Sequence, residues 1–238
     1  PGVFSLWIDA PEIAESAAPG QFVSIYTKSE ARLLPRPISI CEINRGEKTM
    51  RFVYRVVGEG TEEFSKLSSG DKIEVLGPLG NGFPIPEKKA ILIGGGIGIP
   101  PMLALAKACK ERPTVVLGYR DATLFLKEEF DKVADVVIAT DDGSVGTHGT
   151  VIDAMKEKNL TADVICACGP MPMLRGVKAY GLENEIETYV SMEERMACGI
   201  GACLGCVCQS TEVDSHSNVH NKRVCKDGPV FLSTEVEL

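Results

Sequence analysis

Ile91-Leu92-Ile93-Gly94-Gly95-Gly96-Ile97-Gly98-Ile99-Pro100-Pro101 runs from an unbroken apolar stretch, through a glycine-rich turn, into a segment with helical spacing, Met102–Lys110. A strand that is apolar at every position is buried on both faces, as in a parallel sheet covered by helices. The same alternation recurs downstream. Thr114–Leu117, Asp135–Thr140, Asp163–Cys168 and Ile186–Val190 read as strands, and Val151–Lys158 and Met171–Tyr180 as helices. An α/β nucleotide-binding domain with a parallel sheet is therefore expected over residues 86–190.

The turn itself points to an anion. Gly94, Gly95, Gly96 and Gly98 allow close backbone approach, and a helix N-terminus offers N–H groups to a phosphate. Proline is well tolerated in a first helical turn. The motif is not G-x-G-x-x-G, because Pro101 takes the place of the third glycine, and no P-loop lysine follows. Taken alone, the turn serves a purely structural strand-to-helix connection as well as it serves a ligand. Cys168-Gly169-Pro170, however, also ends a strand and opens a helix. Both loops then lie at strand carboxyl ends, where open α/β sheets bind ligands. NAD is expected there rather than NADP, since only Arg120, beside Asp121, lies near the second strand.

Upstream, residues 1–85 change character. Gln21–Tyr26, Ile38–Ile43, Met50–Val57 and Lys72–Leu76 are short strand-type runs. Asn44-Arg45-Gly46, Gly58-Glu59-Gly60 and Ser68-Ser69-Gly70-Asp71 separate them as turns. The spacing predicts a small antiparallel β-barrel. Two prolines, Pro84 and Pro86, mark its end.

Downstream, residues 191–238 hold too few large apolar residues for a core of their own and need a staple. Five of the nine cysteines crowd into this tail. Cys198, Cys203 and Cys206 follow a C-x4-C-x2-C pattern, and eighteen residues separate Cys206 from Cys225. This is the spacing of plant-type [2Fe–2S] sites, in which one tight loop supplies three of four thiolates. Two other readings compete. Cys203-x2-Cys206 followed by His216-x3-His220 has the outline of a zinc site, but the gap is short and Cys198 and Cys225 are left over. Five unmetallated buried cysteines are the other, which the absence of a core disfavours. Cys208 is the spare thiol.

The bulk composition narrows the function classes. A net charge of −8 over 238 residues argues against nucleic acid or an anionic membrane as partner. Glycines and prolines interrupt the most apolar stretch, Ala90–Ala108, so no membrane span is expected. The chain opens at Pro1 without an initiator methionine, and no secretory leader is visible. An odd cysteine count without a leader favours a reducing, cytoplasmic setting.

Three motifs in one order carry a family resemblance: Arg36-Pro37-Ile38-Ser39, then Gly94–Pro101 with Cys168-Gly169-Pro170, then the cysteine signature. Together they resemble the ferredoxin–NADP reductase superfamily. Met196-Ala197-Cys198-Gly199-Ile200-Gly201-Ala202-Cys203 and Cys225-Lys226-Asp227-Gly228-Pro229-Val230-Phe231 are similar to the electron-transfer subunits of type B dihydroorotate dehydrogenases. The resemblance spans nearly the whole chain. It implies FAD, one [2Fe–2S] cluster and NAD in this chain. It also implies a catalytic partner subunit carrying FMN, in a heterotetramer serving pyrimidine synthesis. Arg36, Pro37, Ile38 and Ser39 would then hold the flavin and its phosphate. Val53, Tyr54 and Arg55 would run along it, and Gly60 and Thr61 would bind the pyrophosphate. Cys198, Cys203, Cys206 and Cys225 would ligate the cluster. A reductase subunit for ferredoxin or sulfide uses the same cofactors. A zinc-stabilised, non-enzymatic nucleotide-binding module is the alternative of a different class. No catalytic acid or base is assigned.

Overall fold

The computed structural model describes residues 2–29, 31–213 and 218–238. An antiparallel sheet comes first. Its strands are β1 (Val3–Asp9), β2 (Phe22–Ile25), β3 (Arg36–Asn44), β4 (Thr49–Arg55) and β5 (Val75–Leu79), ordered β1-β4-β3-β2-β5. Two short helices accompany it, α1 (Pro11–Ser16) and α2 (Glu59–Phe64). Phe52, Ile40, Met50, Val23 and Ile25 fill its interior.

Strand β1 escapes the sequence reading because its pattern is not cleanly alternating and leaves Phe4 and Trp7 39% and 50% exposed. The Gly58-Glu59-Gly60 turn needs correction. Glu59 and Gly60 open α2, and the Thr61 hydroxyl accepts from the backbone N–H groups of Val57 and Gly58 at 3.0 and 3.2 Å. Such local side-chain bonds set where a helix starts.

The second sheet holds β6 (Ala90–Gly95), β7 (Thr114–Tyr119), β8 (Asp135–Thr140), β9 (Thr147–His148), β10 (Val164–Cys168) and β11 (Glu187–Ser191), all parallel. Helices α3 (Ile99–Ala108), α4 (Lys127–Asp131), α5 (Val151–Glu157) and α6 (Met171–Glu183) cover it. The tail contributes a small ribbon, β12 (Val207–Gln209) with β13 (Asn221–Arg223). It then adds β14 (Val230–Leu232), which pairs antiparallel to β11. The sheet is thus not wholly parallel, and the tail does not stand apart. Val224, Phe231 and Val236 join the same core as Ile91, Ile93 and Ile165. Among the described residues, no helix is long and apolar enough to cross a membrane.

Charges join the two sheets. Glu42 on β3, nearly buried, accepts from Arg51 on β4 at 2.6 Å and from Lys107 at the end of α3. Arg51 also pairs with Glu129 on α4 at 2.5 Å and lies over the Trp7 ring. Burial alone would raise the Glu42 carboxyl, but hydrogen bonds from Lys107 and Arg51 outweigh it and hold the group below the usual range. A carboxylate depressed in the folded state contributes stability above its unfolded value, about 4.3, and loses it as pH falls through the folded value. The thermal midpoint of the wild type is therefore expected to fall more steeply than that of Glu42→Gln between about pH 5 and pH 3. Parallel profiles in a pH-dependent melting series would show that Glu42 contributes nothing.

Candidate functional site

The cysteine loop is shaped by backbone that only some residues accept. Gly199 and Gly201 take φ of +71° and +83°, and Leu204 takes +56°. Those turns aim amide groups at sulfur. Ala202 and Cys203 N–H donate to Cys198 Sγ at 3.3 and 3.4 Å. Gly201 N–H donates to Cys225 Sγ at 3.2 Å, Gly205 N–H to Cys203 Sγ at 3.4 Å, and Cys225 N–H to Cys206 Sγ at 3.4 Å. Each of the four sulfurs therefore receives at least one amide.

The sulfurs stand in two pairs, Cys198 with Cys203 and Cys206 with Cys225. Backbone donation, from Cys203 first, lowers the Cys198 thiol to about 6, whereas burial and the neighbouring Cys206 push Cys225 up to about 12. Among the described residues, no three metal-ligating side chains converge on one point. Two pairs of sulfurs with converging amides fit a negatively charged two-iron cluster better than a single tetrahedral ion. His220 Nδ1 lies 3.2 Å from the Ser210 carbonyl. His216 lies outside the described residues. Cys208 sits on β12, buried, with its thiol raised by that burial.

The flavin-type motif is partly assembled. Arg36 opens β3, and its guanidinium lies on Gly60, where a Cβ would stand 2.5 Å from Arg36 Nε. Only glycine admits that approach, so Arg36, Gly60 and Thr61 form one neighbourhood. A phosphate there would meet a planar cationic fork. The Thr61 hydroxyl proton goes to the Gly58 carbonyl at 2.9 Å, so Thr61 would offer its backbone rather than its hydroxyl hydrogen. Pro37, Ile38 and Ser39 pair across to Ser24, Val23 and Phe22 of β2. Val53 faces the core shared with α3, while Tyr54 turns into the core of the first sheet against Phe4 and Phe64. Arg55 is exposed. Arg32, which the sequence did not single out, ties the preceding loop to α2 by ion pairs with Glu59 and Glu63 at 2.8 and 3.1 Å.

The dinucleotide-type loops do meet. β6 and β10 are neighbours, with Gly94 opposite Cys168. A Cβ on Gly98 would collide with the Cys168 carbonyl and stand 2.6 Å from Gly169 N. A Cβ on Gly95 would stand 2.5 Å from Met173 Sδ and 3.1 Å from Pro170 Cδ. Gly96, at φ +53°, has open space on its Cβ side. The chain goes from β6 to β7 on one side and later returns to β10 on the other. That reversal of strand order is where open sheets form their ligand crevice. Burial raises the Cys168 thiol to about 12, so it presents a neutral S–H. Met173, whose thioether closes the space beside Gly95 and Gly169, carried no sequence signal beyond its place one turn into α6.

All three loops abut β3 or its neighbours. A Cβ on Gly199 would stand 3.0 Å from Ser24 Oγ of β2, and Ser24 is paired with Pro37 of β3. Helix α3, which begins at the glycine turn, packs against β3.

Comparison with known proteins gives the following. A family described as "Iron-sulfur cluster binding domain of dihydroorotate dehydrogenase B" matches residues 193–237. A Fusobacterium nucleatum protein named "Dihydroorotate dehydrogenase B (NAD(+)), electron transfer subunit" is 43% identical over 240 residues, covering 95% of this chain and 89% of the relative. Listeria monocytogenes and Geobacillus proteins of the same name are 47% and 42% identical, covering 95% and 99% of this chain and 90% and 93% of theirs. Among solved structures, one of an NADH-dependent reduced ferredoxin–NADP oxidoreductase, titled for flavin-based electron bifurcation, is 32% identical with a TM-score of 0.89, covering 100% of this chain and 86% of its own. A Neisseria gonorrhoeae ferredoxin NADP+ reductase with bound FAD and NADP has a TM-score of 0.62 at 18% identity, covering 76% of this chain and 85% of its own, and shows the fold alone.

Proposed function

Since this chain belongs to the family of electron transfer subunits of dihydroorotate dehydrogenase B (NAD(+)), we propose that it carries electrons from a catalytic partner subunit to NAD+. In the full reaction dihydroorotate gives up two electrons and two protons to become orotate. NAD+ takes a hydride, and one proton is released. Three parts divide the work here: residues 1–85 for FAD, 86–190 for NAD and 191–238 for a [2Fe–2S] cluster. When bound, these groups supply hydride exchange between nicotinamide and flavin, and single-electron exchange between flavin and cluster.

The observation that carries this reading is the shared wall at β3. The cysteine loop leans on Ser24, the strand partner of Pro37, and the glycine turn starts the helix that packs on β3. Cys198, Cys203, Cys206 and Cys225 are assigned as thiolate ligands, held by the amides that converge on them. Arg36, Pro37, Ile38 and Ser39 are assigned to the flavin, with Gly60 and Thr61 at its pyrophosphate. Val53, Tyr54 and Arg55 run along it. Gly94, Gly95, Gly96, Gly98, Cys168, Gly169 and Pro170 are assigned to the dinucleotide. The partner would carry FMN, two copies of each subunit would form a heterotetramer, and the assembly would work in the cytoplasm.

The purified chain alone is expected to oxidise NADH with an artificial dye and not to oxidise dihydroorotate. Adding the catalytic subunit should then give dihydroorotate-dependent NAD+ reduction. Dihydroorotate oxidation by the partner-free chain, at a rate near its NADH–dye activity, would overturn the division of labour. A second reading draws on the whole-chain likeness to the NADH-dependent reduced ferredoxin–NADP oxidoreductase. Reduced ferredoxin offered in the same assay separates it, since only that reading expects NAD+ reduction without dihydroorotate.

A further inference from the structure

The turn that delivers Cys225 carries an ion pair to which the function above gives no role. Arg223 ends β13, and its Nε and Nη2 donate to the two Asp227 oxygens at 3.0 and 2.9 Å. The Arg223 backbone N–H donates to Asp227 Oδ2 at 2.7 Å. A guanidinium held through two such bonds is fixed in plane and direction. From that position Nη1 donates to the Gly201 carbonyl at 3.3 Å. The turn is itself anchored to the chain after β5. Asn81 Nδ2 donates to the Asp227 carbonyl at 2.9 Å, and Asn81 N–H to the Gly228 carbonyl at 2.6 Å.

Gly201 stands between the two sulfur pairs. The peptide whose carbonyl Arg223 grips has its N–H on Ala202, and that N–H donates to Cys198 Sγ at 3.3 Å. The preceding peptide donates from Gly201 N–H to Cys225 Sγ at 3.2 Å. A side chain at Gly201 is excluded twice, by φ of +83° and by Lys226 Cβ, 2.8 Å from where a Cβ would stand.

We propose that Arg223, locked by Asp227, is a positioning residue for the iron–sulfur cluster: it fixes the Gly201–Ala202 peptide so that its N–H donates to Cys198, and so raises the cluster's reduction potential. The inference rests on the ligand assignment given under the proposed function. A cluster that accepts one electron becomes more negative, with no bond made or broken, so donors aimed at its sulfurs favour the reduced form. A cation on the carbonyl polarises the peptide and strengthens the N–H at its far end.

The test is a dye-mediated redox titration of the iron-loaded protein, followed by electron paramagnetic resonance, with iron and sulfide assayed in parallel. Arg223→Gln is expected to shift the reduction equilibrium about tenfold toward the oxidised form, about 59 mV for one electron, with wild-type iron content. Arg223→Lys keeps the charge but loses the fork, and is expected to show most of the same drop and an altered resonance line shape. A wild-type potential in Arg223→Lys overturns the proposal, because charge alone would then suffice. Where Arg223→Gln fails to take up iron, Arg223→Lys decides alone by the same criterion. Wild-type protein without iron and sulfide would instead overturn the ligand assignment, and with it the functional reading.

Discussion

Serine in place of any one of Cys198, Cys203, Cys206 or Cys225 is expected to remove most of the visible iron–sulfur absorbance, while Cys208→Ser leaves it nearly intact. Each of the four sulfurs receives an amide, so on the ligand assignment proposed above the loss of one would leave an iron short of a thiolate. Three of the four lie within nine residues on a loop bent by Gly199 and Gly201, where no neighbouring thiol can take over without unwinding those turns. Cys208 lies buried on β12, outside the turns of that loop. Iron, sulfide and absorbance of the five purified variants decide the matter. Bleaching by Cys208→Ser with colour retained in Cys206→Ser would sink the assignment.

Alanine at Gly98 is the second large effect. Its Cβ has no room, since the Cys168 carbonyl and Gly169 N occupy the space. The two loops at the ends of β6 and β10 must part, and Cys168 is held in register with Gly94 by the sheet. A displacement of about 1 Å between binding and reacting groups costs about 10²-fold in rate. NADH–dye kcat/KM is therefore expected to fall by roughly that factor while bound flavin is retained, because the atoms that a Cβ at Gly98 would strike belong to Cys168 and Gly169 rather than to Arg36 or Gly60. A variant with wild-type KM and kcat for NADH would show that the dinucleotide does not use this crevice.

What could be read from sequence follows from how local each constraint is. The cysteine loop is legible because three of its cysteines fall within nine residues, so its turns are set locally by Gly199 and Gly201. The glycine turn was legible because only glycine tolerates Cys168 and Met173 at such close range. Helix α2 was misread as a turn because Gly58-Glu59-Gly60 has turn composition, and the deciding bonds come from the Thr61 hydroxyl. Strand β1 was missed because its exposed Phe4 and Trp7 spoil the alternation. Val53 and Tyr54 fall in different cores because side chains alternate along a strand. The Lys107–Glu42–Arg51–Glu129 chain had no local signal at all, since its members are brought together only when α3 and α4 pack on the first sheet. Arg223 and Asp227 did carry a faint signal, opposite charges four apart around a ligand cysteine, but nothing in the spacing says that the arginine also reaches Gly201.

Strand β14 has an evolutionary consequence. It lies on β11 at the edge of the second sheet, and Phe231 and Val236 fill that sheet's core. Without it, β11 would present an open ladder of N–H and C=O groups, the kind of edge that recruits strands from other chains. A lineage descended from this protein could not discard the cysteine segment as a detachable cassette, because the same stretch of gene encodes the edge of its neighbour. Nor could the segment be transplanted onto another reductase without a recipient sheet short of one strand. Removing this segment would therefore uncover the border of the second sheet along β11.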